Sequence, residues 1–223
     1  MKFSEDTLTI LKNFATIYDG LAFKKGNSLK TMDTGKIVFA AATISEEIPH
    51  DFYIGKLNTF LSVLSLENDI PNLEIDDKNV YVVGNKGRSK ITYRQCTPDN
   101  LLDTNKSINI TPENTKIKFD LSEEDFKWVM RSATILQNPH ILVVGDGSHV
   151  YLRTTNVHDN SVHSDSLDLG EFPAPQNTVR VVFKTENWKM IPGPYEVCVS
   201  SKAVSSFEHK DRKLKYWIAV EAN

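Results

Sequence analysis

The chain has 223 residues, 40% hydrophobic and 25% charged, with a formal net charge of −3 at neutral pH. That composition suits one large domain or two of ~100 residues, and it excludes a disordered segment or a globally basic nucleic-acid binder. No apolar run approaches the ~18 residues of a membrane span, and acidic Glu5 and Asp6 stand where a secretory signal would be apolar, so a cytoplasmic protein is expected.

The first predicted element is a helix over Ser4–Ile17. At about 100° per residue, Leu8, Ile10, Leu11, Phe14, Ala15, Ile17 and Tyr18 share one arc, while Glu5, Thr9, Lys12, Asn13 and Thr16 face the other way. Ser4 is placed to cap the free N–H groups of the first turn. Strands are expected at "GLAFK", "SLKTM" and "KIVFAAATIS", split by turns at Lys25-Gly26-Asn27 and Asp33-Thr34-Gly35. A short helix at "GKLNTFLSVLSLE" and strands at "NLEID", "VYVVG" and "RSKITYR" complete the first half.

Thr97–Asn114, bracketed by Thr-Pro-Asp-Asn and Thr-Pro-Glu-Asn, reads as a connector, because proline fixes φ and removes a donor from any sheet. Its Leu101, Leu102, Ile108 and Ile110 are expected to lie against the surface. The expected boundaries are therefore 1–96, 97–114 and 115–223.

The second half restarts the pattern. Phe3–Ile17 and Leu121–Ile135 share five of fifteen residues, where chance gives about one. In this second helix Phe126, Trp128, Val129, Ala133, Ile135 and Leu136 are expected to face inward, and Glu123, Lys127, Arg131 and Thr134 outward. Strands follow at "HILVVG", "HVYLRTT" and around "VHSDSLDL", with Gly145-Asp146-Gly147 as a tight hairpin. A short helix at "TENWKM" precedes strands at "YEVCVSS", "VSSFEH" and "KLKYWIAVEA". The prediction is α+β: a helix with three strands, four times over, grouped as two similar domains.

Catalytic patterns are missing. There is no G-x-S-x-G, no Walker loop and no H-E-x-x-H, and Gly84-Asn85-Lys86-Gly87 lacks the following helix that a phosphate loop requires. Cys96 and Cys198 have no metal or redox spacing and are expected as buried thiols. His158, Asp159, His163, Asp165 and Asp168 gather in one stretch, but strand alternation does not cluster them, so a solvated loop and strand is expected. No cofactor or metal is expected. Duplicated domains without chemistry suggest architecture, and head-to-tail repetition can close a ring whose sheet edges pair between subunits.

The stretches "ILKNFATI" (Ile10–Ile17), "LNTFLSVLSLEND" (Leu57–Asp69), "KMIPGPY" (Lys189–Tyr195) and "IAVEA" (Ile218–Ala222) closely resemble the DNA polymerase sliding clamp of T-even-type phages. The resemblance runs in order from Met1 to Ala222. It implies a homotrimer with six similar domains around duplex DNA, helices lining the hole and sheets outside. It also implies a non-enzymatic factor that tethers the replicative polymerase, is opened by an ATP-driven loader and supports late transcription.

From the residues alone, the polar helix stripes are ordinary solvated faces, since Glu5 and Glu123 share them. The resemblance reads them as a cationic lining that meets phosphates without reading bases. Lys12 and Lys189 lie inside matched motifs, Arg131 falls where the family carries a basic residue, and Lys127 follows from helical geometry. Lys56, opening the second helix, is a further candidate. Clamps of this kind also grip partner peptides in an apolar pocket, for which Leu101, Leu102, Ile108, Ile110, Trp217 and Ile218 are candidates. Two other classes fit less well: a structural β-rich phage assembly protein would share the strands without needing basic stripes, and a hydrolase would need a nucleophile with its base.

Overall fold

In the computed structural model the described residues are 1–67, 69–104, 115–159, 161–172, 178–200 and 204–221. They fall into two compact units, Met1–Lys106 and Ser107–Asn223.

The first unit opens with α1 (Glu5–Ile17), whose first turn is capped where the Ser4 hydroxyl accepts from the Thr7 N–H at 3.2 Å. Thr7, Ile10, Leu11, Phe14, Ala15 and Ile17 are buried, while Glu5, Thr9, Lys12 and Thr16 are exposed. Behind α1 come β1 (Leu21–Phe23), β2 (Gly26–Met32), β3 (Val38–Ile48) and β4 (Phe52–Ile54). β1 pairs with β4 and β2 with β3, both antiparallel. The short α2 (Leu57–Leu64) packs beside α1, and β5 (Asn72–Ile75), β6 (Asn79–Gly84) and β7 (Ser89–Arg94) form an antiparallel meander. Phe3, Phe23 and Phe52 stack in sequence at 5.8 and 4.3 Å between centroids. Aromatic burial of this kind supplies much of a core's stabilisation.

In the second unit β8 (Thr115–Leu121) leads directly into α3 (Glu123–Leu136), where the Ser122 hydroxyl accepts from the Asp125 N–H at 3.0 Å. β9 (His140–Gly145), β10 (His149–Thr155), β11 (Leu167–Glu171) and β12 (Val179–Lys184) follow, ordered β11-β10-β9-β12. Last come β13 (Tyr195–Ser200), β14 (Val204–His209) and β15 (Leu214–Ala219), paired in the order β8-β13-β14-β15. Phe126, Phe183, Trp188, Phe207 and Tyr195 pack ring against ring in the core. The β9–β10 hairpin turns at Gly147 (φ 102°), a conformation that costs glycine nothing. At Gly193 any Cβ would sit 2.2 Å from His209 Nε2, so the Pro-Gly-Pro turn admits only glycine there.

Three expectations need correction. "TENWKM" forms a single 3₁₀ turn (Thr185–Asn187) instead of an α-helix, because Trp188 and Met190 are both drawn into the core and leave no room for a helical face. The strand expected around "VHSDSLDL" begins only at Leu167, since Asp165 is taken by Ser132 and Thr154. Trp128 and Ile135 are 41% and 66% exposed. At 100° per residue they point about 130–150° away from the mean direction of Phe126, Val129 and Ala133. Residue type had suggested burial where helical angle does not allow it. β4, β8 and β12 were not anticipated.

Candidate nucleic-acid interface and partner groove

The exposed stripe of α1 carries Lys12, with Thr9 and Thr16 one turn to either side. Both threonines return their hydroxyls to the helix backbone, at Glu5 and Asn13. Lys56 is exposed at the start of α2, but its side chain does not cap that helix. The cap comes from Asp19, whose Oδ1 accepts from the Asn58 N–H at 2.7 Å and from Asn58 Nδ2 at 2.8 Å. Lys56 is thereby left on the surface, its carbonyl accepting from the Tyr93 hydroxyl at 2.9 Å and the Phe60 N–H at 3.0 Å.

On α3, Lys127 and Arg131 are both exposed and one turn apart. Lys127 pairs with Glu123 along the helix, and the ammonium beside Glu123 holds that carboxyl below its usual range. An exposed i,i+4 pair of this kind is screened by solvent and weak, so phosphate can displace it. Arg131 occupies the centre of the exposed face, flanked by Lys127 on one side and by Trp128 and Ile135 on the other. Lys189 is half-buried between the buried Trp188 and Met190, on the segment after the 3₁₀ turn rather than on a helix. The five cations are thus divided as Lys12 and Lys56 in the first unit and Lys127, Arg131 and Lys189 in the second.

The candidates for peptide capture separate differently. Leu101 and Leu102 follow a 3₁₀ turn at Pro98–Asn100 and line a groove of 480 Å³ in the first unit, with Ala22, Ser28, Lys30 and Tyr53. Both leucines are half-buried, and Leu101 lies so close to Gly20 that a Cβ there would meet its Cδ2 at 2.7 Å. The rim is charged. Lys24 Nζ donates to the Tyr53 hydroxyl at 3.0 Å and to Asp51 at 2.9 Å, and these bonds, Tyr53 first, raise the Lys24 pKa. An apolar floor with a few placed polar groups is the usual form of a recognition groove. Lys24, Lys30 and Tyr53 carry no signal in sequence, because β2, β4 and the residue just after β1 bring them together and no local spacing marks it.

Ile218 is fully buried on β15 and belongs to the core of the second unit. Its neighbour Trp217 is half-exposed, with Lys215 Nζ 5.6 Å from the ring centroid. Ile108 and Ile110 lie outside the described residues. The acidic and histidine stretch does not converge: Asp165 bonds Ser132 and Thr154, Asp168 faces His149, and His163 is exposed. Cys96 and Cys198 are free, half-buried thiols. Among the described residues no helix is long and apolar enough to cross a membrane.

Two families match the chain in tandem. Residues 4–107 match the DNA polymerase processivity factor family, and residues 118–222 match the C-terminal domain of the gp45 sliding clamp. The sliding clamp of Enterobacteria phage T4 is 31% identical over all of this chain and 98% of its own length. That of Escherichia phage RB69 is 30% identical over the same shares. Among solved structures, A. fulgidus PCNA, bound to the C-terminal region of FEN-1, superposes with a TM-score of 0.73 over 97% of this chain and 95% of that one. At 10% identity this likeness speaks for the fold alone. A helix-and-sheet unit given twice, matched end to end by phage clamps, places this chain in the sliding-clamp family, the non-enzymatic processivity factors of DNA polymerase.

Proposed function

We propose that the protein acts as a homotrimeric ring around duplex DNA and tethers the phage's replicative polymerase. The observation that carries this reading is the repeated Ser-capped helix, which leaves an exposed stripe with a cation in each unit: Lys12 on α1, Lys127 and Arg131 on α3. Lys56 and Lys189 add to the lining. Such contacts meet phosphates alone and so permit sliding on any sequence. A closed ring is retained topologically, which makes weak contacts sufficient. Opening it requires an ATP-driven loader, and late transcription factors are further users of the same ring.

Peptide capture falls to the Leu101–Leu102 groove of the first unit. A relative of the same fold, A. fulgidus PCNA, is bound to a C-terminal region of FEN-1, and that precedent supports a C-terminal polymerase peptide as ligand here. Size exclusion coupled to light scattering tests the assembly. A mass three times that of the 25.2 kDa chain is expected. A monomer at tens of micromolar, without DNA or loader, overturns the ring.

A further inference from the structure

Away from the helices and the groove, one cluster in the second unit has no part in the proposed function. His140 opens β9, His158 lies just beyond β10, and Glu221 follows β15, and their ligand atoms lie within 4.8 Å of one another. We propose that His140, His158 and Glu221 bind a divalent transition-metal ion of the zinc class, which clips the segment after β15 to the β9–β10 hairpin.

Two imidazoles and one carboxylate are a donor set that suits zinc, leaving a fourth corner for water. His140 Nε2 lies 3.3 Å from Glu221 Oε2, the separation expected between two corners of a tetrahedron with bonds of ~2.0–2.2 Å. Both ligands are held by their surroundings. His140 is 5% exposed, in register with Thr155 on one side and Lys184 on the other, and the Glu221 N–H donates to the Val182 carbonyl at 2.9 Å. His158 is exposed and stands edge-on to His140 at 5.3 Å between ring centroids, with its ligand atom within 4.8 Å of the other two.

A metal on Nε2 leaves the proton of neutral His140 on Nδ1. What the metal displaces is a long 3.3 Å approach of the Val157 N–H to Nδ1. Lys184 Nζ is 3.8 Å from the other Glu221 oxygen, Oε1, so its ammonium competes with the ion for that carboxylate.

The test is a Co²⁺ titration of the tag-free full chain, read by visible absorption beside a thermal melt. The expected result is the intense d–d bands of tetrahedral Co²⁺ at one equivalent, displaced by Zn²⁺, with a higher melting temperature when metal is bound. His158→Ala should lose the bands while melting normally without metal, since that side chain is exposed. Lys184→Gln should bind more tightly than the wild type. Pale six-coordinate spectra only, or bands that survive His158→Ala, overturn the site.

Discussion

His149 illustrates how a single side chain sets a pH dependence. Its Nδ1 lies 2.9 and 3.0 Å from the two Asp168 oxygens, and its Nε2 4.0 Å from Glu171, across the β10–β11 pair. The hydrogen bond to Asp168 is the main cause that raises the His149 pKa above its ordinary 6.5, against a smaller opposing effect of burial. A raised value in the folded state means that the contribution is complete below pH 6.5 and is lost as pH rises through the raised value. Wild-type protein should therefore lose a small part of its melting temperature across neutral pH that His149→Gln does not lose. Melts in closely spaced buffers check this, and parallel profiles for the two proteins reject it. Asp146, in the adjoining hairpin turn, is held at about 2 chiefly by the His149 and Ser148 N–H groups.

In the proposed clamp, elements rather than single residues decide what would meet DNA and what would meet a partner. Lys12, Lys127 and Arg131 are exposed on two helices, so changing all three to Ala should cost under ~0.5 kcal/mol each in stability. Loader-dependent retention on DNA should fall, most clearly as salt rises, because each lost phosphate contact removes about 0.9 from the slope of log affinity against log salt. A triple variant with unchanged processivity at every salt concentration would remove the helix stripes from the interface. The groove beside β1 and β2 makes a different demand. Leu101→Ser with Leu102→Ser should weaken binding of a polymerase C-terminal peptide while moving the melting temperature little, since both leucines are only half-buried. Calorimetric titration beside a melt separates the two roles. Intact affinity with a melt lowered by several degrees, the mark of ~1–3 kcal/mol lost per buried side chain, would make them structural anchors instead.

For the whole molecule, the proposed head-to-tail ring would present different surfaces of each chain to its two neighbours. The assembly should dissociate on dilution, and light scattering from tens of micromolar to nanomolar should show the mass fall from trimer towards monomer. A mass that does not change with concentration would mean either no ring or one with no accessible opening equilibrium.

Local rules carried α1 and α3, both Ser caps, the β9–β10 hairpin and most strands, because 3.6-residue and two-residue periodicities are written into consecutive side chains. The polar stripe containing Lys12, Lys127 and Arg131 was legible for the same reason. The helical angle of Trp128 and Ile135 was equally local, and there the apolar type of each residue was given more weight than its direction. Tertiary structure decided the rest. Asp19 caps α2 from outside it, Trp188 and Met190 pull "TENWKM" out of a helix, and Asp165 delays β11 by bonding Ser132 and Thr154. The groove at Leu101 and the meeting of His140, His158 and Glu221 likewise depend on strands distant in the chain. Periodicity reports which way a side chain points within its own element. Which partner it then finds depends on how those elements pack, and no window of adjacent residues contains that.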